Sequence, residues 1–373
     1  ATLSFAAKVN AAGVANVAAA DKARAAAMRQ ASHHGKRSES FDITNAAVSY
    51  TAQVGVGNPP TEYTLLIDTG SANTWIGDDK PYNPTSTSQD TGNTIQVSYG
   101  SGSFSGEEYL DTVTLTSGLT INQQSIGVAS QAQSLTGVDG ILGVGPTDLT
   151  EGTVANTDEV PTVTDNLYAQ GTISEEVLGI YFVPASESNS GGELTFGGYD
   201  SSVITGSVNY VPLTTTSPAS TYWGIDQSIS YGDSTILSET AGIVDTGTTL
   251  ILIASDAFSQ YQSATGGTID QTTGLLAISS DQYANLQSLF FNIGGESYEL
   301  TANAQIWPRS LNSAIGGTSD NIYLIVSDIG TNSGSGLDFM NGYTFLERYY
   351  SVFDTTNSRV GFATTAYTDA TTN

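Results

Sequence analysis

The chain has no cysteine, which excludes disulfides, thiolate catalysis and cysteine zinc sites together. Histidine is almost as scarce: the two present are the neighbours His33 and His34, in a stretch read below as a removable leader. The rest of the chain can therefore build neither a Ser-His-Asp triad nor a histidine-ligated zinc site. Basic residues thin out abruptly. Residues 1–37 hold six (Lys8, Lys22, Arg24, Arg29, Lys36, Arg37) against Asp21 alone. Beyond them only Lys80, Arg309, Arg348 and Arg359 face the other 36 of the 37 acids, a formal charge of −32. Such a body repels nucleic acid and anionic membranes. Its self-repulsion at neutral pH eases in acid. No apolar run is long enough to cross a bilayer, and no signal-peptide pattern opens the chain, so any export signal is expected to have been removed. Carboxylates are the acid–base groups left.

Two of them stand in a repeated context. Leu65-Leu66-Ile67-Asp68-Thr69-Gly70-Ser71 and Gly242-Ile243-Val244-Asp245-Thr246-Gly247-Thr248 each run an apolar strand into Asp-Thr-Gly and a hydroxyl. A carboxylate at the end of a buried strand is costly unless neighbours donate to it. The glycine lets a backbone N–H approach, and the hydroxyl three residues on supplies a second donor. Two copies predict two similar lobes, each giving one carboxylate to a shared cleft. Asp90-Thr91-Gly92 repeats the triplet without an apolar strand before it or a hydroxyl after it, and reads as a solvated loop turn.

Abundant glycine, serine and threonine with few helical patterns predict an all-β protein, bilobal at 373 residues. Residues 1–37 read as a pro-segment: a strand over Thr2–Val9, an alanine-rich helix over about Val14–Gln30, and a polar linker holding the dibasic pair Lys36-Arg37, a processing point. Residues 38–207 and 208–373 read as the N-terminal and C-terminal lobes. Short helices are expected over Val163–Gln170, Asp256–Ala264 and Asp281–Leu289, and a hairpin over Val97–Phe104 carries Tyr99 at its tip.

With these parts in order, the chain resembles the pepsin-like aspartic proteases over nearly its whole length. Asp68-Thr69-Gly70-Ser71-Ala72-Asn73-Thr74-Trp75 and Asp245-Thr246-Gly247-Thr248 are similar to the two catalytic motifs. Tyr99-Gly100-Ser101-Gly102 is similar to the flap, Val138-Asp139-Gly140-Ile141-Leu142-Gly143 to the strand bracketing the first aspartate, and Tyr349–Asp354 to the C-terminal signature. The lack of cysteine, the acidity and the stretch Asp21-Lys22-Ala23-Arg24-Ala25 look most like secreted enzymes of basidiomycete fungi. Asn341 before Gly342 departs from the family, which usually has an apolar residue there.

The resemblance implies a secreted, monomeric endopeptidase with a bilobal fold and a central cleft. It would act on proteins and peptides in acid, yield to pepstatin-type inhibitors, and need no metal or organic cofactor. Asp68 and Asp245 would be catalytic. Two unit charges about 3 Å apart repel by roughly 5 kcal/mol at an effective dielectric near 20, enough to keep one proton on the pair. Thr69 and Thr246 would tie the lobes together, Ser71 and Thr248 would hold the outer carboxylate oxygens, and Gly70 and Gly247 would admit a substrate backbone. Tyr99, Gly100 and Ser101 would form the flap, braced by Trp75. Leu66, Ile141, Ile243 and Met340 would line apolar pockets beside the cleaved bond, and Ser101, where some relatives carry aspartate, implies weak cleavage after lysine. A leader lysine is expected over the dyad, Lys36 first and Lys8 second. A carbohydrate-active alternative would need carboxylates about 5–9 Å apart and no matched Thr-Gly tails.

Overall fold

Alternating burial explains the long strands. In Thr61–Asp68 the buried side chains are Tyr63, Leu65 and Ile67, every second residue, and they end on the buried Asp68. The computed structural model describes residues 1–9, 16–31, 48–99, 102–132, 135, 137–187 and 191–373, with Ala31 and Tyr99 by backbone alone. Its strands form a 13-stranded sheet, a seven-stranded sheet and a three-stranded sheet.

Each aspartate strand is held by the same device. Thr61–Asp68 lies parallel to Gly140–Gly143, which in turn lies antiparallel to Thr74–Ile76. In the other half Ser234–Val244 lies parallel to Phe339–Asn341, which lies antiparallel to Ile251–Ile253. The registers correspond: Ile141 pairs with Leu66 and Trp75, and Met340 with Ile243 and Leu252. A parallel neighbour buried on both faces explains why these bracketing segments read as apolar runs with no alternation.

The first strand of the expected leader joins the large sheet. This strand, Thr2–Val9, lies antiparallel between Gly191–Phe196 and Val48–Val56. Leu3 and Phe5 are its buried residues, and Phe5 packs edge-on against Tyr50 and Phe182 at centroid distances of 5.7 and 5.2 Å. Burying two such side chains contributes about 1.5–3 kcal/mol each. The same sheet crosses the expected lobe boundary, because Tyr349–Asp354 pairs with Val177–Val183.

Local expectations fared unevenly. The leader helix spans Val17–Ala31, and two body helices span Val163–Ala169 and Ser255–Thr265, close to the expected ranges. The third stops early, at Ser280–Ala284, and Leu289 instead opens the strand Leu289–Ile293. A capping box from Ser279 and Gln282 starts that short helix, and pairing with Gly224–Tyr231 and Glu296–Leu300 claims the apolar residues that follow. Asp90-Thr91-Gly92 is a bulge within the strand Gln89–Tyr99 rather than a loop. Gly92 takes φ +74° there and donates its N–H to Asp90 Oδ1 at 2.8 Å, and Asp90 stays exposed as expected. No helix among the described residues is long and apolar enough to cross a membrane.

Candidate active site

Asp68 and Asp245 end their strands with no exposed surface, and their surroundings match bond for bond. Ser71 Oγ donates to Asp68 Oδ2 at 2.6 Å, and Thr248 Oγ1 to Asp245 Oδ2 at 2.5 Å. The Gly70 N–H reaches Asp68 Oδ1 at 2.9 Å, and the Gly247 N–H reaches Asp245 Oδ1 at 3.1 Å. Between the halves, the Thr69 N–H donates to Thr246 Oγ1 and the Thr246 N–H to Thr69 Oγ1, both at 2.9 Å. Each hydroxyl passes on its own proton, Thr69 to the Val244 carbonyl and Thr246 to the Ile67 carbonyl. Four buried bonds thus fix the separation of the two strand ends. The glycines are needed for closeness: a Cβ on Gly70 would lie 2.6 Å from Asp245 Oδ1, and one on Gly247 2.5 Å from Asp68 Oδ1.

A single guanidinium lies over the pair. Arg24 Nη2 donates to Asp68 Oδ1 at 2.7 Å and to Asp245 Oδ1 at 3.0 Å, while Nε donates to Asp245 Oδ2 at 2.7 Å. One nitrogen bonding an oxygen of each carboxylate puts both in one hydrogen-bonding site. The residue over the dyad is therefore neither of the expected lysines. Lys8 instead donates to the Gly137 carbonyl, and Lys36 and Arg37 lie outside the described residues. Arginine suits the place because its planar fork presents several donors at fixed angles, where an ammonium is a point charge.

The Arg24 side of the leader helix is its buried face. Val17, Ala18, Asp21, Arg24, Ala25 and Met28 are all buried, the three-and-four spacing of one helical stripe. Asp21 Oδ2 accepts the Leu250 N–H at 2.7 Å, and the Met28 carbonyl accepts from Tyr222 Oη at 3.2 Å. Towards the rim, Lys22 Nζ meets Asp328 Oδ2 at 2.7 Å and Arg29 Nη2 donates to the Ile329 carbonyl at 3.2 Å.

Burial and mutual charge push these acids apart. Burial raises Asp68, and the neighbouring Asp245 charge adds to the rise against the pull of Arg24. Burial acts on Asp245 too, but the Arg24 charge and the bonds from Arg24, Thr248 and Gly247 outweigh it and hold this carboxyl low. Burial lifts Asp21 to about 7, against the bonds from Leu250 and Thr249 and the Arg24 charge. Burial also works against the Arg24 cation, yet Asp245 and Asp68 hold its proton more firmly than in water.

The other expected residues fall as follows. Trp75 is buried, stacked on Phe104 at 4.4 Å between centroids, and its Nε1 finds no acceptor among the described residues. Ile141 belongs to the same small apolar cluster, with Val97, Phe104 and the half-buried Leu66. Ile243 and Met340 have no exposed surface and belong to the main core. Tyr99 ends its strand opposite Gly102. Gly100 and Ser101, and with them the expected flap tip, lie outside the described residues. Asn341 is explained by Gln227: the two fully buried amides exchange bonds of 2.9 and 3.1 Å. Sequence reasoning missed Arg24, Asp21 and this amide pair. The signal for the first two was the helical spacing from Val17 to Met28 with two charges on its apolar stripe.

Three comparisons bear on the site. Residues 49–365 match the family model for eukaryotic aspartyl proteases. The chain is 63% identical over 338 residues to polyporopepsin from Irpex lacteus, covering 90% of this chain and 99% of that protein. It is 31% identical to pepsin A from Suncus murinus, over 86% of this chain and 81% of that one. The crystal structure of the aspartic proteinase from Irpex lacteus superposes with a TM-score of 0.85 at 63% identity, covering 87% of this chain and 96% of that one.

Proposed function

The chain belongs to the eukaryotic aspartyl protease family and is a pepsin-like aspartic endopeptidase, and from that premise we propose that it is the latent form of an acid-active, secreted, monomeric enzyme. Residues 1–37 are its inhibitory pro-segment, and residues 38–207 and 208–373 its lobes. Asp68 and Asp245 are the catalytic pair. With Arg24 gone, one proton remains on the pair. The ionised partner takes a proton from a water, and the protonated partner donates to the substrate carbonyl oxygen, giving a tetrahedral intermediate. Return of a proton to the leaving nitrogen completes cleavage. Ser71, Thr248 and the glycine N–H groups keep both carboxylates oriented throughout, and the threonine bonds keep them together. Tyr99, Gly100 and Ser101 close over the substrate, and Trp75 braces them. Leu66 and Ile141, with Ile243 and Met340 behind the second motif, favour apolar side chains beside the cleaved bond.

The observation that carries this reading is the buried Arg24 guanidinium bonded to both carboxylates, with one nitrogen taking an oxygen of each. Four leader cations also bond the acidic body: Lys22 and Arg24 to carboxylates, Lys8 and Arg29 to carbonyls. Acid weakens the tie between Arg24 and the aspartate pair as these carboxylates protonate, and cleavage then follows near Arg37. The test is casein digestion at about pH 3 with and without pepstatin. Digestion that pepstatin blocks is expected; digestion indifferent to pepstatin, or none after the leader is lost, overturns the reading.

A further inference from the structure

Two backbone donors of the body find their acceptor in the leader. The Leu250 N–H donates to Asp21 Oδ2 at 2.7 Å, and the Thr249 N–H bonds the same carboxyl. Neither donor has a backbone acceptor among the described residues, and both residues are buried with the leader in place. Buried backbone donors do not stay unpaired, so whatever enters the cleft after the leader must offer them an acceptor or a water.

The body itself places these donors beside the reacting centre. Leu250 immediately precedes the strand Ile251–Ile253. Ile251 lies opposite Asn341, and Asn341 opposite Val244, the neighbour of Asp245. Two strand spacings are about 10 Å. Thr248, one residue before Thr249, has its Oγ1 on Asp245 Oδ2. Along the leader, Asp21 and Arg24 are three residues apart on one buried stripe, about 4.5 Å along the axis, and the Asp245 charge acts on Asp21. One residue of extended peptide spans about 3.3 Å. A side chain within about two residues of the scissile bond therefore reaches the two N–H groups.

Charge sets what they accept. Asp21 is raised to about 7, so in acid the group seated on these donors is an uncharged carboxyl. Arg24 leaves with the leader. The other charged or titratable groups around the seat are Asp245 and Tyr343, and neither offers a carboxylate a positive charge.

We infer that the Thr249 and Leu250 N–H groups form a specificity subsite for an uncharged side-chain carbonyl of the substrate: the carboxamide of glutamine or asparagine, or the protonated carboxyl of glutamate or aspartate. This rests on the endopeptidase reading with Asp68 and Asp245 as the reacting pair, and sets a polar preference beside the apolar one. One neutral hydrogen bond is worth about fivefold.

The test begins with the full chain, self-activated in acid. It uses one apolar peptide in which glutamine, glutamate or methionine, alike in length, replaces a single residue at each position within three of the cleaved bond. Ratios of kcat/KM are read within each enzyme, so a general loss cancels. At one position Gln/Met is expected near five at about pH 3, with Glu/Gln near one. By about pH 5 Glu/Gln should fall about fivefold as the free glutamate ionises, with Gln/Met unchanged. Placing the α-hydroxy analogue of leucine at position 250 exchanges the N–H for an oxygen and should bring Gln/Met there down to about one. If that variant does not fold, the native ratios and their pH trend decide. Gln/Met at or below one everywhere, as when a substrate backbone carbonyl takes these donors, overturns the inference. So does a ratio untouched by the loss of the N–H, or a Glu/Gln ratio that holds or grows towards pH 5. Failure to cut even the methionine peptide overturns the endopeptidase reading instead, and this one with it.

Discussion

The two aspartate motifs are a comparison the protein makes with itself. Partners across the cleft stand 177 residues apart, and the same offset carries Leu66 onto Ile243, Trp75 onto Leu252 and the strand Thr74–Ile76 onto Ile251–Ile253. Against that matched frame the differences are few. Leu142 pairs with Ile67 and Thr74 in one half, and its counterpart Asn341 pairs with Val244 and Ile251 in the other. A buried leucine is satisfied by packing, whereas the buried asparagine needs Gln227. The second difference lies in the leader: Arg24 gives Asp245 two bonds and Asp68 one, which holds Asp245 low while Asp68 stays raised. Equal frames with unequal charge contacts show that the asymmetry of the pair comes from what sits on it.

If that is right, the pair should be symmetric in need and asymmetric in restraint. Asp68→Asn and Asp245→Asn should each cut kcat by at least about 10³-fold on casein after leader removal, within the range for loss of a positioned acid or base. A variant losing less than tenfold breaks the symmetry. Next, Arg24→Ala should leave two buried carboxylates uncompensated and weaken the leader's hold by about 3–5 kcal/mol. The intact variant should then digest casein at neutral pH with no acid step, while an equally latent variant would remove Arg24 from the account.

The Leu142/Asn341 difference gives a smaller effect. Asn341→Leu strands the Gln227 amide and should cost about 1–3 kcal/mol, read as a fall in Tm. Adding Gln227→Leu should recover most of it, and a single variant as stable as the parent would sink this explanation.

The smallest effect is in pH dependence, where the leader carries two opposed groups. Asp21 is raised to about 7 in the docked leader, above a free value of about 3.9. Its contribution is complete below the free value and is lost as pH rises through 7. Asp245 is held low, so its contribution is present above the usual carboxylate range and lost as pH falls through the lowered value. Arg24, Asp245 and Tyr343 are the charged or titratable groups around Asp21. Asp21→Asn keeps the shape without the titration. It should leave the acid-side release in place and abolish the loosening between about pH 4 and 7, followed as leader release; an unchanged profile contradicts the assignment.

Most of the frame was legible because it is written in apolar strands ending on Asp-Thr-Gly, a local pattern with a local cause. The leader was legible as a helix and as a cation over the dyad, but the residue that lies there, Arg24, was not. Alanine covers both faces of the helix, so the stripe through Val17, Asp21, Arg24 and Met28 does not stand out by hydrophobicity. Its charges looked like a solvated surface until tertiary contact placed two of them inside. Asn341 was visible as a departure, but its partner lies 114 residues away, beyond any local reading. The helix expected to reach Leu289 failed because long-range strand pairing overrode a short helical preference.

The central claim, that Arg24 keeps the two carboxylates silent until acid frees them, is tested most directly by holding the intact chain at pH 7 and at about pH 3 and measuring mass and caseinolytic activity together. The account predicts an unchanged mass and no digestion at pH 7. At pH 3 it predicts loss of a fragment ending near Arg37, with the onset of digestion that pepstatin stops. Full digestion at both pH values by a chain of unchanged mass would contradict it.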